Sequence, residues 1–152
     1  MNLTQHFTLA ELTRSAKATA LGLDNQPPQE LIPRLVLTAE MLERIRSTLD
    51  APIIVTSAYR SPPVNRAVGG VTSSDHTQGH AADIVAPGYG TPYQVAKALE
   101  PLVSVLGIGQ IILEGIKGKQ WVHVSTRTPE KLANRIITIT DAGARLGIQA
   151  VA

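Results

Sequence analysis

The chain has 152 residues, enough for one domain with its own core, and 43% of them are hydrophobic against 17% charged. It contains no cysteine, which excludes disulfides and thiolate metal sites and leaves histidine and carboxylate as the strong ligands for any metal. A net charge of +2, a calculated pI near 9.2 and only 3% aromatic residues argue against a nucleic-acid partner, and no apolar run reaches the about 20 residues that would span a bilayer.

The N-terminal segment has no basic stretch followed by an apolar run, so no secretory signal is read there and synthesis in the cytoplasm is expected. Thr8 and Glu11 form a capping-box pattern that starts a short helix ending near Ser15, and residues 16–26 read as loop. Leu31, Leu35, Leu42, Ile45 and Leu49 recur at helical spacing and predict a long helix over 28–49, with Pro33 tolerated in its first turns. The apolar run at 53–58 predicts a strand. Residues 59–75, rich in Ser, Pro, Asn and Gly, predict a long functional loop with one helical turn near 65–68.

A short strand is expected at 81–85, then a helix from Thr91 and Pro92 to about Leu102. Segments 110–114 and 121–125 predict the two strands of a hairpin joined by 115–120. Residues 136–140 predict a last strand, and the tail after Ala142 is expected to be loosely attached. The fold class is α+β, one domain over 1–152. A small, mainly antiparallel sheet carries the site on one face and packs the long helix against the other.

The stretch Ser74 to Asp83 is the most informative for chemistry. A catalytic zinc site uses three protein ligands from neutral imidazoles and carboxylates and keeps one position open. His76 and His80 have the spacing of two ligands on one helical face, but Thr77 stands where such a motif carries its glutamate, and Gly79 interrupts the segment. His76 is therefore read as a ligand in a turn and Asp83 as a ligand on the strand that follows. His80 becomes a neighbour that lines the cleft or orients a ligand.

Ser74, His76, Gly79, Ala81 and Asp83 fill every fixed position of Ser-x-His-x-x-Gly-x-Ala-x-Asp. With Trp121-Val122-His123 and the turn Ser57-Ala58-Tyr59-Arg60-Ser61, in that arrangement, the chain resembles the M15 peptidases, the D-Ala-D-Ala carboxypeptidase family, over about 52–125. The resemblance implies one Zn²⁺ per chain held by His76, Asp83 and His123, and peptidoglycan stem peptides as substrate. Many relatives place an acidic base three residues before the last histidine, where this chain has Gln120. Amide nitrogen and oxygen cannot serve as that base, so another carboxylate is required. Glu114 is the candidate, since pairing it with Trp121 sets it diagonal to His123 on one face, about 7–8 Å away along the backbone; Asp75 is the fallback.

Glu114 would then take a proton from water and pass it to the leaving amine, while zinc polarises the scissile carbonyl. Arg60 would hold a substrate carboxylate or the developing oxyanion. Ser74, His80 and Trp121 are assigned to the substrate-facing lining, with Ser74 also suited to a hydrogen-bonded turn and Trp121 to shaping the site by packing. His6 has no assigned role. A D,D-carboxypeptidase and a stem-peptide endopeptidase both fit. The expectation is a monomer acting on the cell wall, with phage-type release as an endolysin. A rival class is a non-catalytic zinc module that binds wall or protein, and Gln120 is the feature that keeps it open.

Overall fold

The computed structural model describes residues 1–151. Its centre is a sheet of six strands, β1 (Ile54–Ser57), β2 (Ala81–Val85), β3 (Gln110–Ile116), β4 (Lys119–Ser125), β5 (Ile136–Thr140) and β6 (Gly143–Leu146). The order is β1-β2-β4-β3-β5-β6, and every neighbouring pair is antiparallel except β3 with β5. Five helices surround it: α1 (Leu9–Thr13), α2 (Ala16–Leu21), α3 (Ile32–Leu49), α4 (Pro62–Ala67) and α5 (Pro92–Leu99). No helix among the described residues is long and apolar enough to cross a membrane.

Alternation along the strands sorts the two faces. Val55, Ala82, Ile84, Ile111, Leu113, Val122 and Val124 are buried in one cluster with Leu35, Ala39, Leu42, Ile45 and Leu49 of α3 and Val95, Ala96 and Leu99 of α5. Each large aliphatic side chain removed from water there contributes about 1.5–3 kcal/mol, so this face supplies most of the stability. The intervening residues, among them Ser57, Asp83, Glu114, Trp121 and His123, share the other face.

Local signals explain the helix ends. α1 opens with the expected capping box between Thr8 and Glu11, and α5 opens with a second one between Thr91 and Gln94. A 3-10 turn at Gln29–Leu31 precedes α3, and Pro33 sits in its first turn, where a missing N–H costs nothing. The N-terminal segment is tied to α3 by His6, whose main-chain N–H donates to Glu43 at 2.7 Å and whose Nδ1 lies 2.7 Å from the same carboxylate.

Four expectations need correction. Residues 16–21 are helical rather than loop: Ser15 caps α2 through its side chain and Gly22 closes it at φ 65°, but only Ala18 is buried, so no apolar period shows. The single turn expected near 65–68 is the helix α4, which starts at Pro62 behind Ser61. The hairpin strands run on to Ile116 and Lys119, joined by Lys117 and Gly118 alone, both left-handed at φ 51° and 78°. Two such residues give the turn whose twist matches the strands.

The tail is not loose. β6 pairs with β5, and Ile148 is 4% exposed in the helix-side core. The Thr138 hydroxyl donates to Gly147 O at 2.8 Å and accepts from the Gln149 N–H at 2.9 Å. Val151 lies so close over Gly115 that a Cβ added there would stand 2.6 Å from Val151 Cγ1. The sequence lacks alternation in β6 because all four of its residues are exposed at the sheet edge.

Candidate metal centre

Asp83 of β2 and His123 of β4 are directly opposed, which fixes both side chains on one face by sheet hydrogen bonding alone. The hairpin register pairs Glu114 with Trp121 and Ile112 with His123, so Glu114 is diagonal to His123 on that face. His76 arrives from outside the sheet, on the 3-10 turn Asp75–Gln78. Ser74 caps this turn, accepting from the His76 N–H at 3.2 Å, and Gly79 ends it at φ 76°, a conformation that favours glycine. The end of the turn rests on α3: Thr38 donates to Gly79 O at 2.6 Å and Arg34 to Gln78 O at 3.1 Å.

His76, Asp83 and His123 each offer a donor atom, and these lie within 4.8 Å of one another. Asp83 Oδ1 is 3.2 Å from His76 Nε2 and 3.1 Å from His123 Nδ1. The imidazole rings meet edge-on with centroids 5.1 Å apart. His76 Nδ1 is 2.7 Å from the Ala58 carbonyl, which can only accept, so Nδ1 carries the proton in the neutral ring. The lone pair of Nε2 then points at a carboxylate oxygen. That contact is repulsive unless a cation lies between them. Ligands about 2.0–2.2 Å from a tetrahedral zinc stand about 3.3–3.6 Å apart, slightly more than the two separations found around Asp83. The donor set and geometry fit a divalent metal, and His76, Asp83 and His123 can hold one.

The charges around this group are strongly coupled. Burial pushes the Asp83 carboxyl up, but the electrostatics of the two adjoining imidazoles hold it well below the usual carboxylate range. Burial alone would lower His123, but the Asp83 hydrogen bond and charge, with Glu114 behind them, keep it above the ordinary histidine value. Glu114 is raised to about 7 by burial and by the Asp83 charge, against the pull of His123 and Arg60. Its Oε1 is 4.0 Å from His123 Nδ1. A carboxyl near neutrality beside a metal-ligand cluster is suited to proton transfer.

Arg60 is lowered by burial, with Asp83 and Glu114 drawing it back up, so its guanidinium faces the same cluster. Arg60 Nε and Trp121 Nε1 are both buried donors with no partner among the described residues. Unpaired buried N–H groups are costly, and the Arg60 Nε–H beside Asp83 and Glu114 is a donor free to receive a polar ligand or water. The structure therefore brings Glu114, Arg60 and Trp121 together with His76, Asp83 and His123.

Ser74 and His80 stand apart from that group. Ser74 spends its hydroxyl on the turn, and His80 faces Thr126 Oγ1 through Nδ1 at 3.1 Å. Burial, with the Arg34 and Arg127 charges, lowers His80 against the opposing Asp75 charge. Asp75, the fallback base, is already bonded by Ser125 and Arg127. Gln120 opposes Gly115, on the helix-side face, and lines a separate cavity of about 390 Å³ with Thr138 and Arg145. A carboxylate at 120 would point away from the metal group. Sequence reasoning missed Ala58, whose main-chain carbonyl carries no sequence signal, and Arg127, whose partner Asp75 is 52 residues away.

An aspartate and two histidines from two strands and a capped turn, with a raised glutamic acid beside them, have the make-up expected of a metal-dependent hydrolase centre. The family model described as Peptidase M15 matches residues 5–125, which include all three donor residues, Glu114 and Arg60. The chain belongs to the Peptidase M15 family, whose members are metal-dependent peptidases. No curated protein matches it.

Proposed function

We propose that the chain is a zinc peptidase that cleaves the stem peptides of bacterial peptidoglycan, as a D,D-carboxypeptidase or an endopeptidase. The observation that carries this reading is the convergence of Asp83 with two imidazoles, 3.1 and 3.2 Å away, beside the Glu114 carboxyl. Two imidazoles and one carboxylate favour zinc among divalent ions. Zinc held there acts as a Lewis acid toward a carbonyl and makes water acidic enough to be deprotonated near neutral pH.

The protein's own groups do the rest. The Ala58 carbonyl fixes the His76 tautomer and so aims Nε2 at the centre. Asp83, held anionic, supplies the charge that balances a cation. Glu114 accepts the proton of the attacking water at a carboxylate oxygen and returns it to the amine as the peptide bond breaks. Arg60 offers its unpartnered Nε–H to a substrate carboxylate or the developing oxyanion. Stem peptides end in free carboxylates, which supports them as the substrate class.

Gln120 lies on the far face and Glu114 on the face of His123, which favours the catalytic reading over a non-catalytic module. Purified sacculi incubated with the protein, with and without chelator, test the proposal, with new termini identified by mass spectrometry. Release of D-alanine marks the carboxypeptidase and new amines within crosslinked stems mark the endopeptidase. Undigested sacculi with zinc-loaded protein would overturn both.

A further inference from the structure

Asp75 is a buried carboxylate immediately before His76 that the hydrolytic reading leaves unused. Its Oδ2 accepts from the Ser125 hydroxyl at 2.9 Å, and its Oδ1 accepts from Arg127 Nε. The Ser125 oxygen in turn accepts from the Arg127 main-chain N–H at 3.1 Å. Ser125 is wholly buried and lies two residues beyond His123 on the same face of β4.

The main chain reinforces this junction. The His80 N–H donates to Asp75 O, and the Thr126 N–H donates to His80 O, each at 3.0 Å. Gly109 brings the entry of β3 against the same place: its N–H donates to Ser125 O at 2.8 Å, and a Cβ on it would stand 2.4 Å from the Arg127 carbonyl carbon. Only glycine lets the backbone of β3 run this close to Arg127.

The need for such a junction follows from how the three donors are held. Asp83 and His123 are cross-strand partners, fixed by the sheet. His76 sits on a four-residue turn outside it. One side of that turn is held by the Ala58 carbonyl on the ring and by the Arg60 N–H, which donates to His76 O at 3.2 Å. Its end rests on α3 through Thr38 and Arg34, and its start is tied to β4 where Asp75 meets Ser125 and Arg127. A buried carboxylate is costly without its partners, so the turn is strongly restricted to the position in which Ser125 and Arg127 reach it. We infer that Asp75, Ser125 and Arg127 are positioning residues for the metal centre, locking the turn that carries His76 to the strand that carries His123.

This inference rests on the metal-centre reading, and zinc affinity tests it without reference to turnover. Zn²⁺ alone is titrated against a chromophoric chelator competitor, with circular dichroism and melting curves on the same samples. Asp75→Ala and Arg127→Ala should each weaken zinc binding about 10–100-fold while the fold is retained, the range for groups that orient metal ligands. The double variant should be no weaker than Asp75→Ala, because both act through one contact. Arg127→Lys should recover part of the affinity. Gly109→Ala, which removes no functional group, should weaken binding in the same direction by displacing Arg127.

A merely structural role would lower the melting temperature and leave the affinity of the folded protein unchanged. Zinc affinity within twofold of wild type in folded Asp75→Ala and Arg127→Ala would overturn the lock alone. If Asp75→Ala does not fold, Arg127→Ala decides, since that side chain is 45% exposed. Wild-type protein that binds no zinc would overturn the metal-centre reading and the lock with it.

Discussion

Val122 and Val124 of β4 are fully buried among the aliphatic side chains of α3 and α5, whereas Trp121, His123 and Ser125 on the same strand lie on the opposite face, which carries the metal group. β3 repeats the contrast with Leu113 beside Glu114. The helix-side face is apolar, and every large side chain in it gains by leaving water. The site-side face carries two imidazoles, two carboxylates and N–H donors without a partner among the described residues, and burial with the Asp83 charge raises the Glu114 carboxyl to about 7 there. Stability and chemistry are thus carried by alternate residues of the same strands, so neighbouring substitutions should have separable effects.

The sharpest separation is between Glu114 and Leu113. Glu114→Gln should lower kcat about 10²–10⁴-fold in a sacculus or peptide assay while zinc content is retained. Turnover within about threefold of wild type would assign the base elsewhere. Leu113→Ala should cost about 2–5 kcal/mol in chemical denaturation, with zinc affinity of the folded fraction unchanged. Ile148→Ala, in the tail, should cost about 2–4 kcal/mol by the same measurement, because that side chain closes the helix-side core. A neutral result there would return the tail to the loosely attached segment that its sequence suggests.

Glu114 also breaks the comparison by pH. Its folded value of about 7 lies above the usual 4.5, so its contribution to stability is full below 4.5 and lost as pH rises through about 7. Glutamine at 114 carries no proton and escapes that loss. Metal-free Glu114→Gln should therefore gain on wild type by about 1–3 kcal/mol between pH 4.5 and 7, read from paired melting curves. A pH-independent difference would mean that the carboxyl is not raised. The smallest effect expected is that of Ser74→Ala, about 1 kcal/mol from a lost turn cap, with substrate affinity little changed.

What the sequence made legible follows the same division. The capping box at Thr8, the helix start at Thr91 and Pro92, the Leu and Ile spacing of α3 and the hairpin register were all local or periodic signals, and each has its counterpart in the structure. The register also brought Glu114 onto the face of His123, which spacing within a hairpin can anticipate. α2 and β6 were illegible because neither buries an alternating or helical stripe: one buries only Ala18 and the other nothing. The bond between Asp75 and Arg127 could not be read, since it joins a turn to the end of a strand 52 residues later. Ser74 fills a fixed motif position and His80 a variable one, but their local hydrogen bonds commit them to the turn and to Thr126.

The most direct test is a calorimetric titration of Zn²⁺ into metal-free wild type and into His123→Ala. One site per chain in wild type, with affinity lost by at least about a hundredfold in the folded variant, is the expected result. Zinc binding of equal strength and stoichiometry in both proteins, or none in wild type, would contradict a metal centre built on His76, Asp83 and His123.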